Sequence, residues 1–284
     1  MGIKETAKHP AASDKAVKEK IYANVNMQDV AETYSISTGE IATYVSRSPA
    51  KETNCEDSAG VFNIDANACA LVVADGMGGM PSGDQASRIV VESLYRLFSN
   101  ATASESGYRE YMLNGIEQAN ESINALAVGA GSTMAAVEIY KNVLRPYHVG
   151  DSMILVVGQR GKIKLQTISH SPVGYAVESG MLDENEALHH DDRHVVSNYI
   201  GSPEMRIEIG PALQLSRFDT VLVATDGLFD NLQLSEIVQI IRKDSLKKVS
   251  RRLIELCNKR MHHEDTDYPS KPDDVSFIVF RRNK

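Results

Sequence analysis

The chain has 284 residues, of which 42% are hydrophobic and 24% charged, a balance that suits a globular protein with a sizeable core in one large domain or two modest ones. Its net charge of −8 argues against a nucleic-acid partner, which would call for a basic face, and no apolar run is long enough for a membrane span. Cys55, Cys69 and Cys257 are an odd, widely spaced set without a disulfide or zinc pattern, so a reducing, cytoplasmic location is expected.

Residues 1–30 are polar, with a lysine-rich stretch from Lys15 to Lys20, and read as a mobile or helical leader; the expected domain covers residues 31–284. The opening Met1-Gly2-Ile3-Lys4-Glu5-Thr6 fits the loose N-myristoylation pattern, although a single acyl chain anchors only marginally. Residues 35–46 alternate as a first strand or hairpin, and a polar loop ending in Asn54-Cys55-Glu56-Asp57 leads into a strand over residues 58–64. The run from Ala68 to Ala74 reads as a strand buried on both faces. It stops at Asp75-Gly76-Met77-Gly78-Gly79, where glycines let the backbone turn tightly around the carboxylate.

Residues 83–98 have apolar positions at helical spacing, with Ser82 or Asp84 as the cap, and a second helix is expected from residue 108 to about 128. Gly131-Ser132-Thr133 introduces four strand-like runs, 134–140, 143–149, 153–157 and 162–168, which should form one antiparallel meander with Gly161 in a hairpin turn. Residues 170–205, with Pro172, Gly174, Gly180, Gly201 and Pro203, suggest a surface excursion of loops and short helices. Strands return at 206–209 and 220–224, helices at 234–242 and 245–261, and a last strand at 275–280. His262-His263-Glu264-Asp265 looks like a zinc patch but is better read as a solvated loop, since adjacent histidines are poorly placed for tetrahedral binding. This order predicts an α+β fold, a four-layer α/β/β/α sandwich of two antiparallel sheets flanked by helix pairs.

An Asp-Gly pair after a strand is usually only a turn, but here the construction recurs. Asp75 and Asp226 end apolar strands, Asp151 follows another, and Asp273-Asp274 precede the last one. Strand ends can meet along a common edge, so these carboxylates, with Glu56 and Asp57 as possible additions, can converge although they are distant in sequence. Crowded carboxylates repel unless a cation sits among them, and an oxygen-only set favours Mg²⁺ or Mn²⁺ over zinc.

The ordered motifs Glu56-Asp57, Val73-Ala74-Asp75-Gly76-Met77-Gly78-Gly79, Gly131-Ser132-Thr133, Val149-Gly150-Asp151-Ser152, Ala224-Thr225-Asp226-Gly227-Leu228-Phe229-Asp230 and Asp273-Asp274-Val275-Ser276 resemble those of the metal-dependent type 2C (PPM) protein serine/threonine phosphatases, in their bacterial style, over about residues 35–282. The resemblance implies a β-sandwich between helix pairs and a centre of two Mn²⁺ or Mg²⁺ ions bridged by Asp75. It assigns the Gly76 carbonyl, with Asp57 or its neighbour Glu56, to one ion, largely through waters, and Asp226 and Asp273 to the other. Asp151 with Asp226 resembles the ligands of a third, weaker site. The implied activity is that of a hydrolase that removes phosphate from phosphoserine and phosphothreonine by attack of a metal-bridging water, with Asp75 and Asp226 acting through that water. Phosphorylated proteins, opposing a serine/threonine kinase in cytoplasmic signalling, are the implied partners.

The chain departs from the family pattern at several positions. Glu52 stands where many relatives carry a phosphate-binding arginine, leaving Lys51 or Arg47 as the candidate substitutes. Met77 and Met80 occupy places where histidines occur in some relatives, so no protein general acid is assigned, and Asp274 stands where asparagine is common. Cys55 lacks the arginine-containing loop of a cysteine-based phosphatase. The Glu52 departure motivates one alternative, a catalytically weak member that acts as a phosphoprotein-binding or regulatory module; an enzyme for small phosphomonoesters is a third reading.

Overall fold

The computed structural model of the chain describes residues 18–77, 79–99, 105–262, 268 and 270–283. The Gly2 pattern and positions 263–265 of the histidine patch lie outside the described residues. In chain order the elements are β1 (Glu19–Ala23), β2 (Glu32–Ser35), β3 (Gly39–Ser46), β4 (Asp57–Asn63), β5 (Ala68–Asp75), α1 (Gly83–Phe98), α2 (Glu105–Asn124), β6 (Met134–Tyr140), β7 (Val143–Val149), β8 (Met153–Val157) and β9 (Ile163–Gln166). There follow α3 (Pro172–Glu178), α4 (Glu184–Leu188), a 3-10 turn (Asp191–His194), β10 (Glu208–Ile209), β11 (Leu213–Gln214), β12 (Thr220–Ala224), α5 (Asp226–Phe229), α6 (Leu234–Ile241), α7 (Leu246–Met261) and β13 (Val275–Arg282).

Two antiparallel sheets result. The first runs β1-β4-β5-β6-β7-β10, with β11 also pairing β7; the second runs β2-β3-β13-β12-β8-β9. Strand periodicity explains their stacking. In β5, Leu71 and Val73 pack between the sheets while Val72 and Ala74 face the layer of α1 and α2. In β12, Val221 and Val223 enter the inter-sheet core, and Leu222 and Ala224 join Ile237, Leu253 and Ile254 of α6 and α7. Both strands are covered on both faces, which is why they read as continuous apolar runs rather than alternating ones. The expected four-layer sandwich is the observed fold.

Three expectations are revised by this architecture. The leader expected over residues 1–30 is shorter, because Glu19–Ala23 pairs with β4 and Tyr22 is buried in the core; a five-residue strand beside a lysine-rich stretch is too short to declare itself by periodicity. The expected single meander is divided: β6 pairs β7 in the first sheet, whereas β8 pairs β9 and β12 in the second. The chain therefore passes from one sheet to the other at Gly150-Asp151-Ser152. Ser82 occupies the cap position of α1 but has a left-handed backbone and no side-chain cap hydrogen bond. Gly161 does sit in the β8–β9 hairpin turn, with φ of 84°.

Candidate metal centre

Asp57 opens β4 and Asp75 closes β5, and the antiparallel register sets them opposite each other. Asp57 is buried; its Oδ2 accepts from Thr225 Oγ1 at 2.9 Å, and its Oδ1 has no hydrogen-bond partner. The Thr225 hydroxyl also accepts the Ser276 amide at 3.0 Å, so one side chain joins the acid of the first sheet to the two central strands of the second. The Asp75 carbonyl accepts from the Thr133 amide and the Ser132 hydroxyl, each at 2.8 Å, which is the structural use of the Gly131-Ser132-Thr133 motif.

Glycines permit the close approaches. A Cβ at Gly76 would lie 2.1 Å from the Gly83 carbonyl oxygen, and one at Gly83 would lie 2.6 Å from Glu56 Oε1. Strand end, helix start and Glu56 thus meet where side chains would keep them apart. Asp151 lies at the crossing between the sheets, buried, with Oδ1 unpartnered. Asp226 opens α5 directly after β12, and Asp230 follows one helical turn later, so both carboxylates lie on one helix face. Lys271, in the segment before β13, extends its ammonium to Asp226 Oδ2 at 2.5 Å, Asp230 Oδ2 at 2.8 Å and Asp273 Oδ2 at 3.2 Å.

This crowding has an electrostatic signature. Burial pushes the Asp75 carboxyl well above the usual range, and Asp57, Asp226, Asp273 and Asp151 add to the effect. Asp57 is raised by burial and then by Asp274, and Asp151 by burial and then by Asp226 and Asp230. Asp230 and Asp273 are each pushed up to about 6, by burial first and Asp226 second, against the opposing pull of Lys271. Burial disfavours the charged form of Lys271, but Asp226, Asp230 and Asp273 outweigh it and hold the ammonium above the usual lysine range. Oxygen-only donors, mutual repulsion and the unpartnered Oδ1 atoms of Asp57 and Asp151 fit hard divalent cations.

The family model for protein phosphatase 2C matches residues 47–265. The chain belongs to the protein phosphatase 2C family. Metal-dependent dephosphorylation of serine and threonine in proteins is the general function of that family, and this chain is an enzyme of that class. It is 30% identical over 222 residues to a putative protein phosphatase 2C-type protein of Streptococcus pyogenes, a match covering 74% of this chain and 88% of the relative. It is also 30% identical over 204 residues to the protein phosphatase PhpP of Streptococcus pneumoniae, covering 68% and 81% respectively. Among solved structures, the S. agalactiae serine/threonine phosphatase superposes with a TM-score of 0.73 at 28% identity, covering 86% of this chain and 99% of that one. The catalytic domain of PstP, solved in complex with two manganese ions, shares the fold with a TM-score of 0.68 at 24% identity, covering 86% and 98%.

Of the two phosphate-binding candidates of this phosphatase 2C chain, Lys51 lies at the centre and Arg47 does not. Lys51 Nζ bonds Glu56 Oε2 and lies 3.1 Å from Asp274 Oδ2. Arg47 Nη1 donates to the backbone carbonyls of Glu52 and Thr53 at 3.1 and 3.2 Å, bracing the loop, while the Glu52 side chain is exposed. Asp274, where asparagine is common in the family, is buried and accepts the Ser48 amide at 2.7 Å and the Glu56 amide at 2.6 Å. Lys51 balances the charge that asparagine would not bring.

The excursion after β9, the flap, consists of α3, α4 and the 3-10 turn. Between it and residues 229–235 lies a cleft of about 590 Å³, lined by the acids Asp151, Asp226 and Asp230 and by apolar Val173, Val177 and Phe229 among others. The foot of the flap is fixed at His170, whose Nδ1 accepts the Gly150 amide at 3.1 Å and Asn198 Nδ2 at 2.8 Å, and whose Nε2 donates to Glu208 Oε2 at 3.0 Å. His148 stacks on it with ring centroids 4.3 Å apart and donates from Nε2 to the Ile168 carbonyl. His148, His170 and Glu208 are near enough to suggest a metal site. Two N–H groups aimed at His170 Nδ1 keep the ring proton on Nε2, however, so the nitrogen facing Glu208 has no free lone pair. This trio fastens the flap.

Sequence reading quoted Thr225 and Asp230 within a motif but gave neither a role, and it missed Lys271. The i,i+4 spacing of Asp226 and Asp230 was the available signal for the role of Asp230. Nothing in local pattern marks the role of Thr225 or Lys271, whose partners come from distant segments.

Proposed function

We propose that Asp75, the Gly76 carbonyl, Glu56 and Asp57 hold one divalent ion and Asp226 and Asp273, with Asp75 shared, hold a second, the ions being Mn²⁺ or Mg²⁺. The observation that carries this reading is the pairing of Asp57 opposite Asp75, with Asp226 and Asp273 acting on the Asp75 carboxyl and a buried, unpartnered oxygen left on Asp57. Bound there, the ions supply Lewis acidity, which lowers the pKa of coordinated water and offsets phosphoryl charge. The chain's own residues do the positioning. Thr225 holds Asp57 in place across the two sheets, and Ser132 and Thr133 fix the backbone of Asp75. Gly76 and Gly83 let Glu56 approach, and Lys51 stands beside Glu56 as the cation for substrate phosphate. The flap cleft, which Asp226 also lines, receives the chain around the phosphorylated residue.

The substrates in this reading are phosphorylated proteins of a serine/threonine kinase in cytoplasmic signalling. Free, buried Cys55, Cys69 and Cys257 support a reducing compartment, and no helix among the described residues is long and apolar enough to cross a membrane. The phosphatase domain in this reading includes the first strand, β1.

The test is hydrolysis of a phosphothreonine peptide by the full chain with Mn²⁺, with EDTA, and by Asp226→Asn with Mn²⁺. Turnover in the first condition only is expected. A folded protein that binds Mn²⁺ and is inactive in all three would overturn the reading and favour a phosphoprotein-binding module.

A further inference from the structure

Lys271 is built into the carboxylate cluster. Its backbone is clamped by the buried Asn231: the Lys271 amide donates to Asn231 Oδ1 at 2.8 Å, and Asn231 Nδ2 donates to the Lys271 carbonyl at 2.8 Å. The same Nδ2 donates to the Gly227 carbonyl at 2.8 Å, so the clamp is anchored in α5, the element that carries Asp226 and Asp230. From that fixed start the ammonium reaches Oδ2 of Asp226, Asp230 and Asp273. Asp151, buried with its Oδ1 unpartnered, lines the same cleft as Asp226 and Asp230.

The family resemblance gives Asp151 and Asp226 to a third, weaker metal ion. We propose that in this chain Lys271 is the resident cation of that third position, and that the enzyme binds two divalent ions rather than three. The inference rests on the two-ion reading above. An ammonium offers three donors on a compact point charge, which matches three carboxylate oxygens. A divalent ion placed there would need the same oxygens at roughly 2.0–2.6 Å, space the ammonium already fills. The two cations therefore exclude each other. Asp226 and Asp273 are not lost to the two-ion centre, since Lys271 engages only the Oδ2 of each and a carboxylate can serve two cations through its two oxygens.

The consequence is a third positive charge that free metal concentration does not govern. The test counts Mn²⁺ bound to the full-length protein at saturation, by equilibrium dialysis with electron paramagnetic resonance of the free ion. Circular dichroism melting checks that each variant is folded. Wild type is expected to bind two ions. Lys271→Met and Lys271→Gln are expected to bind three, the third weakly, and the third is expected to vanish when Asp230→Asn is added to Lys271→Met. Three ions on wild type, or folded Lys271 variants that bind two or fewer, overturn the inference while leaving the phosphatase reading standing. A wild-type protein that binds no Mn²⁺ overturns both.

Discussion

Thr225 carries more of the centre than its size suggests, because one hydroxyl donates to Asp57 and accepts the Ser276 amide in a buried place. Thr225→Val keeps the shape and strands both partners, so urea denaturation of the metal-free protein should show a loss of about 1–3 kcal/mol, with weaker Mn²⁺ binding. A second residue governs acid stability. Burial, and then the neighbouring His170, hold the His148 imidazole below its usual pKa of 6.5. The unfolded chain takes up that proton more readily than the native one, so the His148 contribution is present above about pH 6.5 and is lost as pH falls below it. His148→Gln retains an N–H for the Ile168 carbonyl and removes the titration. Its urea midpoint should therefore fall less than that of wild type between about pH 7.5 and about pH 5.5. At this scale the acids that crowd together at the strand ends were readable because each ends or begins an apolar strand. Thr225 and Lys271 were not, because their roles depend on side chains contributed from more than forty residues away.

The short helix α5 is positioned by a glycine. A Cβ at Gly227 would sit 1.9 Å from the Asp274 carbonyl oxygen, so α5 and the start of β13 touch backbone to backbone. Gly227→Ala must push Asp226 and Asp274 apart, and a loss of about 3 kcal/mol or more together with loss of Mn²⁺ binding is expected. Gly158→Ala is the control: its nearest neighbour would be Lys164 Cε at 3.5 Å, an ordinary contact, and thermal melting should place it within about 1 kcal/mol of wild type. Helices and most strands were readable from apolar period. The division of β6 to β9 between two sheets was not, since period shows that a strand has buried faces and not which partner it meets. Gly150, with φ of 101° and a Cβ position 2.6 Å from Thr133, marks the crossing only in hindsight.

At the scale of the molecule, the centre joins the two sheets at their strand ends, so ions bound there act on the stability of the sandwich as a whole. Mn²⁺ at one hundred times its Kd should add about 2.7 kcal/mol to unfolding, read as a higher melting temperature, and Asp226→Asn should lose most of that gain. The four layers were readable because helix pairs follow apolar strand runs in order.

The flap leaves the sandwich beside Gly150 and returns beside Ser132. At the first point the His170 amide donates to the Gly150 carbonyl at 2.9 Å, and at the second Ile200 and Ser132 exchange two backbone hydrogen bonds of 2.8 and 2.9 Å. Everything between these two moorings is a loop whose ends are already closed by the scaffold. Exchanging its sequence is expected to leave the strand registers unchanged, with Arg193, which donates to the Ser270 carbonyl at 3.3 Å, as a further tie. One catalytic frame can thus be turned toward different phosphoproteins by changing what hangs between two fixed points.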